Sequence, residues 1–133
     1  MEISKTLYTS TDLADVFGAL AHPLRLEIMR MLTHRPMCVS RLTAALEAPQ
    51  PSVSRALAIL RRAGLVTRHR CGAFVRYQLA ETLCGEPLTP LHDLIASLLP
   101  DTYDDDATNR LLAEQGIEPP AADTASMSVT EEA

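Results

Sequence analysis

The stretch from Val39 to Val66, VSRLTAALEAPQPSVSRALAILRRAGLV, constrains the fold of this chain more than any other feature. Its pattern predicts two helices joined by a tight turn, because Pro49 cannot extend the first helix whereas Pro51 is tolerated in the first turn of the second. Gly64 then supplies the residue that commonly ends a helix in a left-handed conformation. Apolar residues at intervals of three and four give the second helix one buried face, made of Val53, Ala56, Leu57 and Leu60.

The outward face of this second helix is small, polar and basic. Such a face fits a DNA major groove, where side chains contact base edges and an arginine can bond both acceptors of a guanine. We therefore predict base contacts near the start of the helix and phosphate contacts farther along the chain. The predicted base contacts are Gln50, Ser52, Ser54 and Arg55, and the predicted phosphate contacts are Arg61, Arg62, Arg70 and Arg76. An ordinary helical hairpin with a solvated basic face has the same spacing.

A basic β-hairpin is predicted directly after the helix-turn-helix. Residues 65–70 and 74–79 are rich in β-branched and aromatic residues, and Cys71-Gly72-Ala73 between them suits a turn. A basic hairpin at this place is typical of the wing of a winged helix. Together with the flanking helices it predicts a mostly α fold with a small β-hairpin wing.

Charge is distributed unevenly along the 133 residues, whose formal net charge is −5. Residues 22–78 hold ten arginines and only two acidic residues, Glu27 and Glu47, for a net charge of +8. Residues 79–133 hold one arginine and twelve acidic residues, for a net charge of −11. A basic block within an acidic protein indicates a local site for a polyanion.

The remaining sequence predicts one domain between two terminal segments. Residues 1–9 form an N-terminal arm, residues 10–100 a DNA-binding and dimerisation domain, and residues 101–133 an acidic, flexible tail. Within the domain, Ser10 or Thr11 is predicted to cap a first helix, and a second helix begins near Pro23. A last, strongly apolar helix is predicted from Pro90 to Leu99.

Several of these segments together resemble the ArsR/SmtB family of winged-helix repressors. They are LADVFGALAHPLRLEIMRML, CVSRLTAAL and PQPSVSRALAILRRAGLVTRHRCGAFVRYQL, and the similarity covers roughly residues 11–80. The resemblance implies a homodimer that binds double-stranded operator DNA and is released by a metal ion, a metalloid or a redox signal. It also implies that the last helix pairs with the first across the dimer axis, and dimer symmetry predicts an inverted-repeat operator.

The arsenic-sensing members that this chain resembles usually carry C-V-C-x-x-C where this chain has Cys38-Val39-Ser40-Arg41-Leu42-Thr43. Only the first thiol is kept, at the predicted N-cap of a helix, a position that favours the thiolate. As(III) or Sb(III), the expected inducer, favours thiolates, so Cys38 needs Cys84 or Cys71 from the same or a partner subunit. Cys84 is expected near Cys38, and Cys71 is expected at the wing tip.

Two other functions remain open at this point. Cys38 with Cys84 or Cys71 suits a redox or reactive-sulfur sensor, and a winged helix can also serve as a protein-interaction module without DNA binding. His92-Asp93 lacks the partner histidine that a zinc site of the family would require. No catalytic set of residues is recognisable, which argues against an enzyme. We expect a cytoplasmic protein without membrane association that requires no cofactor to bind DNA.

Overall fold

The structure is a computed structural model and describes residues 8–117. The helices are α1 (Ser10–Leu20), α2 (Pro23–Leu32), α3 (Val39–Leu46), α4 (Gln50–Arg62), α5 (Thr89–Leu98) and α6 (Asp105–Glu114). The strands are β1 (Met37–Cys38), β2 (Val66–Cys71), β3 (Phe74–Leu79), β4 (Thr82–Leu83) and β5 (Glu86–Pro87). This confirms the predicted winged helix-turn-helix, mostly α with a small β-hairpin wing. None of the helices in the described range is long and apolar enough to cross a membrane.

The first helix begins differently from the prediction. Its N-cap is Thr9, whose hydroxyl accepts from the Asp12 N–H at 3.1 Å, while the Asp12 carboxylate accepts from the Thr9 N–H at 3.0 Å. The prediction of a cap at Ser10 or Thr11 was wrong because only Thr9 has an acidic residue three positions later to complete this reciprocal pair. His22 caps α2 through its Nδ1, which accepts from the Leu24 N–H at 3.2 Å.

The helix-turn-helix consists of α3, a short turn and α4, as predicted. Glu47 ends α3 in a left-handed conformation with φ 51°, and Pro49 precedes the first residue of α4. After α4, Gly64 has φ 86°, a left-handed conformation in which a side chain is strained, and a Cβ there would lie 2.9 Å from Leu83 Cδ1 and require that side chain to shift. The predicted inner face of α4 is buried, through Val53, Ala56, Leu57 and Leu60.

The wing is the hairpin of β2 and β3, with β1 added to its free edge. The strand order is β1-β3-β2, all antiparallel, and Met37 pairs with Tyr77 while Cys38 pairs with Arg76. A two-residue strand is too short to show a periodic pattern, so β1 was not predicted. It ties the start of α3 directly to the wing.

The hydrophobic core lies between α2, α3, α4 and the base of the wing. Ile28 and Met29 of α2 are completely buried, and so are Leu42 of α3 and Leu57 of α4. α5 packs on the same central helix, α2. The core therefore fixes the helix-turn-helix to α2 and to the base of the wing.

The segment after residue 100 differs from the predicted flexible tail. α6 packs against α3, with Leu112 only 1% exposed and Thr108 buried. The high content of aspartate concealed the few apolar residues that make this contact. Residues 105–114 therefore belong to the folded domain, whereas residues 1–7 and 118–133 lie outside the described residues, and the predictions for them stay predictions.

Candidate nucleic-acid interface

The outer face of α4 is exposed over its whole length. Pro51, Arg55, Ala58 and Arg62 all face solvent, as their spacing predicts. Gln50 is also exposed, and its Nε2 donates to the Ser54 hydroxyl at 3.2 Å, which orients two of the predicted base-contacting side chains together. Ser52 and Ser54 are partly buried at the edge of this face. The structure thus gathers Gln50, Ser52, Ser54 and Arg55 in the first two turns of α4.

A groove that the sequence analysis missed runs from this face to the start of α2. It has a volume of about 210 Å³, and its walls include His22, Arg25, Ser52 and Arg55. Arg25 is held within the protein, since its Nε donates to the Ala19 carbonyl at 2.6 Å. His22 is exposed beside Arg55, so the surface available to a ligand extends beyond α4. The position of this groove depends on the packing of α2 against α4, and the spacing of residues along the sequence does not predict that packing.

Arg61 and Arg62 lie at the far end of α4. Twelve residues separate Arg62 from Gln50, or about 18 Å along a helix. Arg62 lines a groove of about 440 Å³ between α1 and α4, together with Asp15 and Gly18. Arg61 is partly buried. The structure therefore does not bring these two arginines together with the predicted base-contacting residues.

The two predicted arginines of the wing have opposite environments. Arg70 is exposed near the end of β2. Arg76, by contrast, is 1% exposed and lies in the centre of the sheet, paired with Cys38 on one side and His69 on the other. The prediction that Arg76 contacts phosphate was wrong, because its guanidinium is directed into the protein.

Other arginines of the basic block are also used inside the protein. Arg30 Nε donates to the Leu99 carbonyl at 3.1 Å, and both Arg35 and Arg41 contact the Asp105 carboxylate of α6. The basic surface that a polyanion can reach is therefore smaller than the count of ten arginines indicates. It is concentrated on Arg55, Arg62 and Arg70, which are all exposed.

All three cysteines are free thiols, and Cys38 and Cys71 are too far apart within one chain to form a disulfide. Cys38 is the N-cap of α3, as predicted, is 1% exposed, and its thiol does not cap the helix. Cys71 ends β2, two strands from β1; from strand spacing and register its Cα is about 12 Å from that of Cys38. A disulfide requires a separation below roughly 7 Å. Cys84, with φ 54°, is in the turn of the separate β4–β5 hairpin.

A metal site within one chain is also not formed by the described residues. No group of three or more His, Cys, Asp or Glu side chains between residues 8 and 117 is arranged to hold an ion. The donors present in one subunit therefore do not fit a three-thiolate As(III) site. His92 of α5 is partly buried, and this burial lowers the pKa of its imidazole, although Asp93 opposes the effect. Its Nε2 is buried and has no hydrogen-bond partner among the described residues.

Two helices expose apolar side chains at helical spacing. Leu13 and Phe17 lie one turn apart on α1, and Leu94 and Leu98 lie one turn apart on α5. Large apolar side chains grouped on a surface commonly mark a contact with another protein. These four residues are called the apolar faces of α1 and α5 below.

The fold and this surface define a winged helix-turn-helix regulatory protein. Residues 22–68 match the sequence profile described as "Bacterial regulatory protein, arsR family". The chain is 45% identical over 67 residues to the HTH-type transcriptional repressor SmtB of Mycobacterium tuberculosis, a match that covers half of each chain. It is 32% identical over 88 residues to the biofilm growth-associated repressor of Agrobacterium fabrum, covering 66% of this chain and 75% of that one.

Solved structures agree with these relatives. HlyU from Vibrio cholerae N16961 superimposes with a TM-score of 0.58 at 31% sequence identity, covering 67% of this chain and 92% of that chain. The chain therefore belongs to the ArsR family. It spans about half the length of the SmtB repressor that it matches. These curated relatives are transcriptional regulators, which supports the prediction that the protein is not an enzyme.

Proposed function

We propose that the protein is a homodimeric, DNA-binding transcriptional repressor. The observation that carries the proposal is the exposed outer face of α4, where Gln50, Ser54 and Arg55 lie together directly after the turn. A helix with small and polar side chains on its outer face can enter a major groove and contact bases with the residues of its first turns. The exposed Arg70 on the wing adds a positive charge suited to a phosphate.

Selection from a random duplex library tests this proposal and does not require that the operator sequence be known. The expected product is an inverted repeat whose half-sites are about one helical turn apart. The enriched duplex then serves as the specific probe in fluorescence anisotropy. If nothing is enriched above random sequence, the hypothesis of a protein-interaction module replaces the proposal.

Arg55→Ala identifies the residue that contacts bases. Loss of a bidentate arginine–guanine contact costs about 1–3 kcal/mol of discrimination, so the enriched duplex should lose far more affinity than random DNA. Arg110→Ala, which removes an exposed arginine from α6, is the control for net charge. Equal losses on both duplexes would mean that Arg55 contacts phosphate only.

We further propose that As(III) or Sb(III) releases the repressor through Cys38. The thiol lies at the N-terminus of the first helix of the helix-turn-helix, so a change there acts close to α4. Cys71 is too far from Cys38 within one chain to share an ion with it, so a site that uses Cys71 has to be shared between subunits. Cys84 stays a candidate second ligand from the same or the partner subunit. A redox or reactive-sulfur response, in which Cys38 forms a disulfide with Cys84 or Cys71, is the second candidate.

Titration of the DNA complex with As(III), Zn(II) and an oxidant separates these signals. Cys38→Ser should retain DNA binding and lose release, because serine is an ordinary N-cap but a poor ligand for a soft ion. Cys84→Ser and Cys71→Ser show which thiol completes the site. Normal release of the Cys38→Ser protein by As(III) would remove Cys38 from the sensor.

A further inference from the structure

We propose that α6 positions the recognition helix α4 for operator DNA, by a carboxylate contact from Asp105 to two arginines of the α2–α3 region. The proposal rests on the proposed DNA binding and adds a residue to it that lies outside the helix-turn-helix. Asp105, Tyr103, Arg35 and Arg41 are called the α6 brace here. It joins the acidic end of the described chain to the basic block.

The brace converges on a single carboxylate. Asp105 Oδ1 accepts from the Tyr103 hydroxyl at 2.7 Å and from Arg41 Nη1 at 3.2 Å, and it also accepts from Arg35 Nη2. The Tyr103 oxygen in turn accepts from Arg41 Nη1 at 3.1 Å and from Arg35 Nη2 at 3.3 Å. Arg41 is only 3% exposed, and a buried charge is strongly unfavourable unless a carboxylate compensates it.

The segment that leads to the brace is attached as well. His34 Nε2 lies 2.9 Å from Asp101 Oδ1, and the rings of His34 and Tyr103 are 5.2 Å apart. Leu112 and Thr108 complete the contact by packing α6 onto α3. These contacts hold the same short region of the chain, the connector before α3 and α3 itself.

The position of α3 determines the position of α4. Arg41 is followed by Leu42, which is fully buried in the core together with Val53 and Leu57 of α4. Close-packed interiors transmit a displacement instead of absorbing it. A loosened α3 therefore changes the angle at which the outer face of α4 meets a groove. Specific binding depends on that angle, whereas non-specific attraction to phosphates depends on it much less.

Asp105→Asn tests the proposal, with Asp106→Asn as the matched control. Both variants remove one negative charge from neighbouring positions of α6, but Asp106 is exposed and Asp105 contacts the arginines. Asp105→Asn should lower affinity for the selected duplex by about 3- to 30-fold, as expected for a change within a packed network, and leave binding to random DNA unchanged. Asp106→Asn should bind both duplexes as the parent does. Equal effects of the two variants, or no loss in Asp105→Asn, would overturn the proposal.

Two further measurements distinguish positioning from loss of structure. DNA binding is measured at a temperature well below the unfolding midpoint of each variant. At that temperature the variant is as fully folded as the parent. If Asp105→Asn does not fold, Tyr103→Phe removes only one hydroxyl of the brace and should show a smaller loss of the same kind. Unchanged specific binding by that variant would then contradict the proposal.

The brace can also be tested if the parent selects no duplex, an outcome that overturns the proposed function and not the brace itself. Amide hydrogen exchange of residues 39–46 is then measured in the free protein. Faster exchange in Asp105→Asn than in Asp106→Asn supports the inference that the α6 brace stabilises α3. Equal exchange in the two variants overturns it.

Discussion

Arg70 and Arg76 belong to the same hairpin and carry the same charge, yet Arg70 is exposed whereas Arg76 is buried. Side chains alternate between the two faces of a strand, and the addition of β1 places Arg76 in the central strand of the sheet. The sequence alone predicts both residues as phosphate contacts. Only the exposed Arg70 can make one without rearrangement of the sheet.

The salt dependence of DNA binding distinguishes these two arginines. Arg70→Ala should reduce the slope of log affinity against log salt by about 0.9, because one phosphate contact releases about that number of counterions. Arg76→Met, which keeps much of the side-chain volume, should leave the slope unchanged and affect mainly stability. The slope is obtained from anisotropy titrations at several salt concentrations. A reduced slope in Arg76→Met would return Arg76 to the contact surface.

The ionisation of Asp105 should make the stability of the fold depend on pH. The hydrogen bond from Tyr103, followed by that from Arg35 and the charges of Arg35 and Arg41, holds the pKa of Asp105 below its ordinary value of 3.8. A carboxylate with a depressed pKa stabilises the fold above that ordinary value, and the contribution is lost as the pH falls through the lower, folded value. Denaturant unfolding should therefore show the parent approaching Asp105→Asn in stability only below a pH of about 4. A difference in stability between the two proteins that stays constant into strongly acidic solution would contradict this.

Among the secondary-structure elements, those with long periodic patterns were predicted well. The buried and exposed faces of α4 follow from its spacing, and the left-handed Gly64 follows from its place after the helix. The structure supplied β1, the environment of Arg76 and the packing of α6, which all depend on contacts between residues distant in sequence. The distance between Cys38 and Cys71 within one chain belongs to the same class, since the strand order determines it.

The stability of shortened chains tests the assignment of α6 to the domain. A chain that ends at residue 100 should be less stable than one that ends at residue 117, because it lacks Leu112 and the α6 brace. Loss of one fully buried leucine alone corresponds to roughly 2 kcal/mol, or about 10 °C in the unfolding midpoint of a domain of this size. Calorimetry of the two chains gives the difference. Equal midpoints would show that the domain ends before α6.

At the scale of the whole molecule, the uneven charge is partly neutralised within the fold. Asp105 of the acidic part contacts Arg35 and Arg41 of the basic part, so two opposite segments meet inside one domain. The surface also presents exposed arginines on α4 and the wing, and the apolar faces of α1 and α5. The exposed arginines suit the proposed DNA contact, whereas the apolar faces suit the proposed contact with a second copy of the chain.

Substitution on the apolar faces of α1 and α5 tests the dimer. Phe17 is 59% exposed and Leu98 is 72% exposed, and each lies one helical turn from a second exposed leucine, a grouping that commonly marks a contact with another protein. Phe17→Asp or Leu98→Asp should convert a dimer to a monomer in sedimentation velocity, since an unpaired charge in an apolar interface is strongly unfavourable. Ala113→Asp, on the exposed side of α6, adds the same charge and should remain dimeric. The monomeric variants should also bind the inverted repeat far more weakly than the parent, because each subunit then contacts one half-site alone. A parent that sediments as a monomer, or variants that stay dimeric, would mean that these faces have another role.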